Sequence, residues 1–222
     1  MTTWPELPER LAALRGRIAA AGGGPEVAVL AVTKGFGVEA VEAALGVGLH
    51  QVGENYAQEL VAKAAALAER PDPAPPAEIH FIGRLQRNKV RGLARLVAVW
   101  QTVDRAEVAT EIARRAPGAA VLVQLNLSGE PQKGGCEPAG AEALVDHARG
   151  SGLDVRGLMG VGPVGPPEAA RPGFRSLVEL AERLGLPERS IGMSADLEVA
   201  VEEGSTMVRV GTDLFGPRPV RA

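Results

Sequence analysis

The sequence predicts an α/β chain folded as one (β/α)8 barrel of the TIM type. Short β-branched runs alternate with longer stretches rich in Ala, Leu, Glu and Arg, the pattern of parallel strands joined by covering helices. Of the 222 residues, 45% are hydrophobic but only 3% aromatic, so the core must be packed from Ala, Val and Leu, as in layered α/β folds.

Eight runs read as strands: Val27 to Val32, Leu49 to Gly53, Glu78 to Ile82, Val97 to Val103, Val121 to Leu127, Val155 to Met159, Ser190 to Met193 and Met207 to Val210. Seven helical patterns lie between them: Val38 to Leu45, Ala57 to Glu69, Leu85 to Leu93, Arg105 to Arg115, Pro138 to Arg149, Pro167 to Leu184 and Ala195 to Glu203. The tail from Phe215 to Ala222 is too short and proline-rich for another. Leu7, Leu11, Leu14 and Ile18 recur at helical spacing, so a leading N-terminal helix takes the place of the eighth helix, over the seam where strand eight meets strand one. Pro71 to Ala77 and Gly162 to Pro172 resemble linkers, but each sits at a strand–helix junction, the first expected on the bottom face and the second on the top. Residues 1–222 are therefore read as a single α/β barrel domain.

A net charge of −3 with no long block of like charge leaves no footprint for nucleic acid or an anionic membrane. The chain begins without a basic segment followed by an apolar one, and no run approaches the ~20 apolar residues of a spanning helix. A cytoplasmic location is the expectation. Cys136 is alone, and His50, His80 and His147 are not in ligand spacing, so neither an intramolecular disulfide nor a metal is expected.

Period two along strand one places Ala28, Leu30, Val32 and Lys34 on one face, with Val29, Ala31 and Thr33 on the other. With the even face inward, Lys34 emerges at the C-terminal mouth, where active sites of such barrels sit and where desolvation favours the neutral amine. A strand-end lysine can equally snorkel to solvent. On strand eight an inward Arg209 needs an acceptor, either a cofactor pyridine nitrogen or a carboxylate from a neighbouring strand. Ser194 stands where an N-cap is preferred, yet with Gly211 and Thr212 it also forms a phosphate grip. Asp196 would repel a phosphate unless turned away.

Asn55 can hydrogen-bond a ring substituent or cap the helix that follows it. His80 reads as a satisfied core histidine behind the site. Arg84, Arg87, Lys89 and Arg91 read as a solvated basic face, and Gly134-Gly135 as a structural loop. A phosphate grip, an arginine and a strand-end lysine are the parts of a pyridoxal phosphate (PLP) site, because a lysine amine condenses with the aldehyde. A sugar-phosphate or nucleotide barrel would use the same grip without Lys34.

These residues resemble the pyridoxal phosphate homeostasis protein family. The resemblance rests on the segments Ala31 to Lys34, Gly53 to Glu59, His80 to Lys89, Arg156 to Met159, Gly192 to Asp196 and Gly204 to Thr212, in order over nearly the whole chain. It implies a barrel similar to the N-terminal domain of alanine racemase, with PLP held as a Schiff base on Lys34. It further implies Arg209 at the pyridine nitrogen and Ser194, Gly211 and Thr212 on the phosphate, so that with Asn55 six residues bind the cofactor and none is catalytic. The implied role is non-catalytic, in vitamin B6 homeostasis and amino- and keto-acid balance. Apo PLP-dependent enzymes are the candidate partners, and a monomer or weak dimer is expected.

Two positions depart from the family pattern: Gly35-Phe36-Gly37 after the lysine, and Asp213, which adds negative charge near the phosphate. The alternative is a PLP-dependent amino-acid racemase of low activity. Racemisation needs an acid/base on each face of the substrate. In alanine racemase the second is a tyrosine from another domain of the partner subunit, whereas Tyr56 is the only tyrosine here.

Overall fold

Parallel pairing runs through all eight strands and returns to the first. The computed structural model describes residues 4–69, 77–130 and 133–218. Its strands are β1 (Ala28–Val32), β2 (Gln51–Glu54), β3 (Glu78–Phe81), β4 (Val99–Val103), β5 (Ala120–Leu125), β6 (Asp154–Gly160), β7 (Glu188–Ser190) and β8 (Met207–Val210). Helix α1 (Leu7–Ala20) precedes them, and α2 (Val38–Gly46), α3 (Ala57–Ala68), α4 (Arg87–Leu93), α5 (Ala106–Arg115), α6 (Ala141–Gly150), α7 (Arg171–Arg183) and α8 (Leu197–Glu202) fill the crossovers. The (β/α)8 expectation holds, and all eight strands overlap their expected runs.

The differences are local. Strand β7 ends at Ser190, and the expected run to Met193 is irregular: Gly192, at φ 95°, departs from strand geometry although its carbonyl still accepts from Arg209 N–H at 2.9 Å. Pro138 and Pro167 open 3-10 turns that precede α6 and α7. After β8 the chain makes a one-turn helix, α9 (Thr212–Phe215), which the sequence reading did not include. Of the two linker-like stretches, residues 71–76 lie outside the described residues, while Gly162 to Pro172 follows the C-terminal end of β6, on the top face as expected.

The seam is covered as expected. Leu7, Leu14 and Ile18 of α1 pack with Val29, Ala31, Val208 and Val210, which fixes those strand residues as outward. Leu30 and Arg209 are therefore on the lumen face, directly paired in the β1–β8 register. Trp4 meets Phe36 and Phe215 edge-on at 5.7 and 5.4 Å, Phe36 and Phe215 lie tilted at 5.6 Å, and Trp4 Nε1 donates to the Phe215 carbonyl at 2.8 Å. The chain's start, the turn after Lys34 and α9 are thus held together.

A larger core lies between the sheet and α4 to α7, with Trp100 and Phe81 6.3 Å apart. The lumen is more polar: His80, Gln101, Gln124, Ser190 and Arg209 are buried there beside Val99, Ala120, Leu122 and Met159. Among the described residues no helix is long and apolar enough to cross a membrane.

One buried ion pair ties α3 to the strand ends. Lys63 Nζ lies 2.5 Å from Glu54 Oε1 and donates to the Thr33 carbonyl at 2.8 Å, while the Thr33 hydroxyl donates to the same carboxylate oxygen. Glu54 is fully buried and its Oε2 has no hydrogen-bond partner among the described residues, so Lys63 is its principal compensation. Removing one partner of such a pair leaves an uncompensated charge. Lys63→Met should therefore cost ~3 kcal/mol, a melting temperature lower by ~6–12 °C in a chain of this size. Pairing it with Glu54→Leu should restore most of the loss in thermal melts.

Candidate functional site

The strand C-termini open into a cavity of about 610 Å³. Lys34, Asn55, Ser194, Arg209, Gly211 and Thr212 all line it, so the structure brings together every residue singled out for cofactor binding. Arg84, Lys133 and Arg218 line it too, making five cations with Lys34 and Arg209, and no Asp or Glu is among the described lining residues. The chain carries net negative charge, yet this cavity is built for an anion.

Lys34 continues the lumen face of β1 past its last paired residue. The turn behind it is tight: Gly35 takes φ 80°, Phe36 N–H bonds back to the Thr33 carbonyl at 3.1 Å, and Glu59 accepts from Gly35 N–H at 3.0 Å. This turn, unsettled by the sequence, thus rests on a left-handed glycine and the aromatic cluster. Lys34 is half-buried and has no hydrogen bond or ion pair among the described residues. Burial lowers its pKa, helped by Arg218 and Arg209 and opposed by Glu54, so the neutral amine is easier to reach.

Arg209 is 5% exposed. Its Nη1 donates to the Ser190 carbonyl and hydroxyl at 2.6 and 2.9 Å, and its Nη2 to the Gly160 carbonyl at 2.8 Å. No carboxylate pairs with it among the described residues: the neighbouring strands supply carbonyls and a hydroxyl in place of the carboxylate. Burial draws its pKa down to about 10, partly offset by Asp196, and it stays charged at neutral pH.

Ser194 is not a helix cap. The N-cap of α8 is Asp196, two residues on, and the Ser194 hydroxyl has no partner among the described residues. Asp196 turns away from the cavity: its Oδ1 accepts from Met193 N–H at 2.6 Å, and it is absent from the lining. The N-cap of α3 is Tyr56, so Asn55 does not cap either, and its buried Oδ1 has no hydrogen-bond partner among the described residues. At Gly211 a Cβ would stand 3.1 Å from the Val32 carbonyl, a close approach that favours glycine. Thr212 opens α9, where first-turn N–H groups have no intrahelical acceptor.

The charge feared at Asp213 is neutralised by Arg17, a residue the sequence reading passed over. From α1, Arg17 Nη1 reaches Asp213 at 2.5 Å, Nε reaches Glu198 at 2.6 Å, and Nη2 reaches the Ser194 carbonyl at 2.9 Å. One guanidinium thereby fastens the loop after β7 to the loop after β8 and holds the Glu198 carboxyl below its ordinary pKa. Arg84, grouped with a solvated face, instead lines the cavity, while Arg87, Lys89 and Arg91 remain exposed. His80 sits behind the site as expected, bonded through both ring nitrogens. Burial pushes the Cys136 thiol up to about 11, which leaves it unreactive. Among the described residues no cluster of His, Cys, Asp and Glu could hold a metal.

A family model described as alanine racemase, N-terminal domain, matches residues 9–219. The pyridoxal phosphate homeostasis protein of Pseudomonas aeruginosa is 40% identical over 228 residues, covering 98% of this chain and 97% of that protein. The chain belongs to the pyridoxal phosphate homeostasis protein family. PipY of Synechococcus elongatus PCC7942, solved with PLP bound, superposes with a TM-score of 0.81 at 31% identity, covering 95% of this chain and 100% of that one. Alanine racemase of Clostridium difficile shares the fold alone, at 14% identity and a TM-score of 0.72 over 99% of this chain and 63% of that one.

Lys133 and Arg218 of the lining and the Arg17 fastening lie outside the family motifs, because none belongs to a local pattern. One titration should be visible in this family member. Burial lowers the His80 pKa below its ordinary 6.5, against the opposing effect of Glu78. Below pH 6.5 the unfolded chain therefore takes up a proton that the folded one refuses, and stability is lost as the pH is lowered. Denaturant melts across that range should show the loss, and His80→Gln should flatten the slope.

Proposed function

We propose that this chain binds PLP in the cavity, covalently on Lys34, and serves as a carrier in vitamin B6 homeostasis and amino- and keto-acid balance. The observation that supports it most is Lys34: an unpartnered, pKa-lowered amine in a cavity of five cations and no described carboxylate. The Asn55 Oδ1, without a hydrogen-bond partner among the described residues, and the close backbone approach at Gly211 fit such a ligand as well. When bound, the cofactor supplies an aldehyde that condenses with a primary amine and a ring that withdraws electrons from bonds at the attached carbon.

Each residue then has a part. Lys34 provides the amine. Ser194, Gly211 and Thr212 hold the phosphate through hydroxyls and N–H groups on the two loops that Arg17 fastens together. The Asn55 amide meets a polar ring substituent. Arg209, already protonated, donates toward the pyridine nitrogen and so leaves it unprotonated, which weakens the ring as an electron sink. Tyr56, the chain's only tyrosine, lines the cavity from the same barrel, whereas the racemase takes its second acid/base from another domain. These two points favour a carrier over a racemase. Apo PLP-dependent enzymes in the cytoplasm are the recipients in this proposal.

Purified protein should be yellow, and borohydride should fix the cofactor on Lys34, with Lys34→Ala losing the visible band. An adduct on Lys133, the other lysine lining the cavity, would overturn the assignment. With L- or D-alanine in deuterated water, racemisation and α-deuteration should stay far below the ~10 s⁻¹ typical of enzymes, and Tyr56→Phe should change little. Turnover on that order, abolished by Lys34→Ala, would establish a racemase instead.

A further inference from the structure

Behind Arg209 a line of hydrogen bonds crosses the lumen through four strands. Arg209 Nη1 donates to Ser190 Oγ at 2.9 Å, and the Ser190 hydroxyl donates to Gln101 Oε1 at 2.8 Å. Gln101 Nε2 then lies 2.6 Å from His80 Nδ1, and His80 Nε2 lies 3.1 Å from Glu78 Oε1. Arg209, Ser190, Gln101 and His80 are each at most 5% exposed, and Glu78 alone reaches solvent, at the opposite end of the barrel.

The direction of every link follows from the ends. Glu78 can only accept, so His80 carries its proton on Nε2 and presents a bare Nδ1. That bare nitrogen takes a donor, which sets the Gln101 amide with Nε2 toward the ring and its second N–H toward Met207 Sδ at 3.2 Å. Gln101 Oε1 then faces Ser190 and takes its hydroxyl proton, leaving the Ser190 oxygen to accept from Arg209. All four donors point away from the cavity, from a cation at one end to a carboxylate at the other. Bonds aligned this way polarise one another.

We infer that Ser190, Gln101 and His80 are positioning residues: they hold the Arg209 guanidinium in one orientation beneath the cavity and set its hydrogen-bonding toward a bound cofactor. The inference rests on the PLP proposal for its consequence, but the line of bonds exists without it. Protonating His80 would set Nδ1–H against the Gln101 N–H and break the line. The charged groups that bear on His80 are Glu78 beside it on β3 and Arg156 from β6, with Asp154 of β6 and Glu188 of β7 close to that pair.

Imidazole nitrogen NMR of the cofactor-free protein tests the line directly, with the His80 signals assigned by their loss in His80→Gln. A neutral Nε2–H tautomer is expected in the wild type, and Gln101→Glu should convert it to the doubly protonated ring at the same pH. Absorption of the loaded protein tests the consequence: Ser190→Ala and Gln101→Leu should shift the pH midpoint of the visible band by about one unit, a tenfold change in the proton equilibrium. Arg91→Gln, on the exposed face of α4, should leave that midpoint alone. An Nδ1–H tautomer in the wild type overturns the line of bonds without any variant having to fold. An expected tautomer with unmoved midpoints overturns the positioning role. A wild-type protein that takes up PLP without a visible band removes the cofactor consequence while the tautomer still decides the line.

Discussion

The parallel pairing of β1 with β8 is the constraint on which the rest depends. It joins residues from near the two ends of the chain, with Ala28 opposite Met207 and Leu30 opposite Arg209. That register sends the odd residues of one strand and the even residues of the other against α1, and what remains faces the lumen. Lys34 and Arg209 reach one cavity for this reason alone. Shift the pairing by one residue and the arginine would be driven into the apolar layer under the first helix.

Electrostatics follows from the same closure. The acidic residues near the mouth are engaged elsewhere: Asp213 and Glu198 on Arg17, Asp196 on its own turn, and Glu54 on Lys63 behind the wall. Among the cations lining the cavity Lys133 is paired with Glu130, so the excess positive charge there, on a protein that is negative overall, comes from Lys34, Arg84, Arg209 and Arg218. Arg17 matters most here. It cancels the nearest negative charge and sets the spacing between the two loops, and both effects come from a helix that contributes no lining residue.

Much of this was legible beforehand because it is periodic. Alternation along Ala28 to Lys34 and Met207 to Gly211 places a lysine and an arginine inward, and helical spacing from Leu7 to Ile18 identifies the cover for the seam. What escaped is not periodic. Strand β7 is short and is followed by a left-handed glycine, and the Ser194 hydroxyl has no partner among the described residues because the N-cap position passes to Asp196. The Glu54–Lys63 pair, the Arg17 fastening and the crossing from Arg209 to Glu78 join side chains on separate elements. No single segment contains their partners, so only the closed barrel reveals them.

The aromatic cluster of Trp4, Phe36 and Phe215 has a consequence for when the site comes into being. The lysine leaves the ribosome early and the last strand leaves late, so a nascent chain carries the reactive amine long before it has anywhere to seat a ligand. Closing so long a loop is entropically costly, and the contacts that reward it come only when the final strand and its short helix dock. A ligand gripped from both sides of that junction acts as a latch. Its loss would let the ring breathe first where the two ends of the chain meet, and its concentration would set how long the ring stays shut.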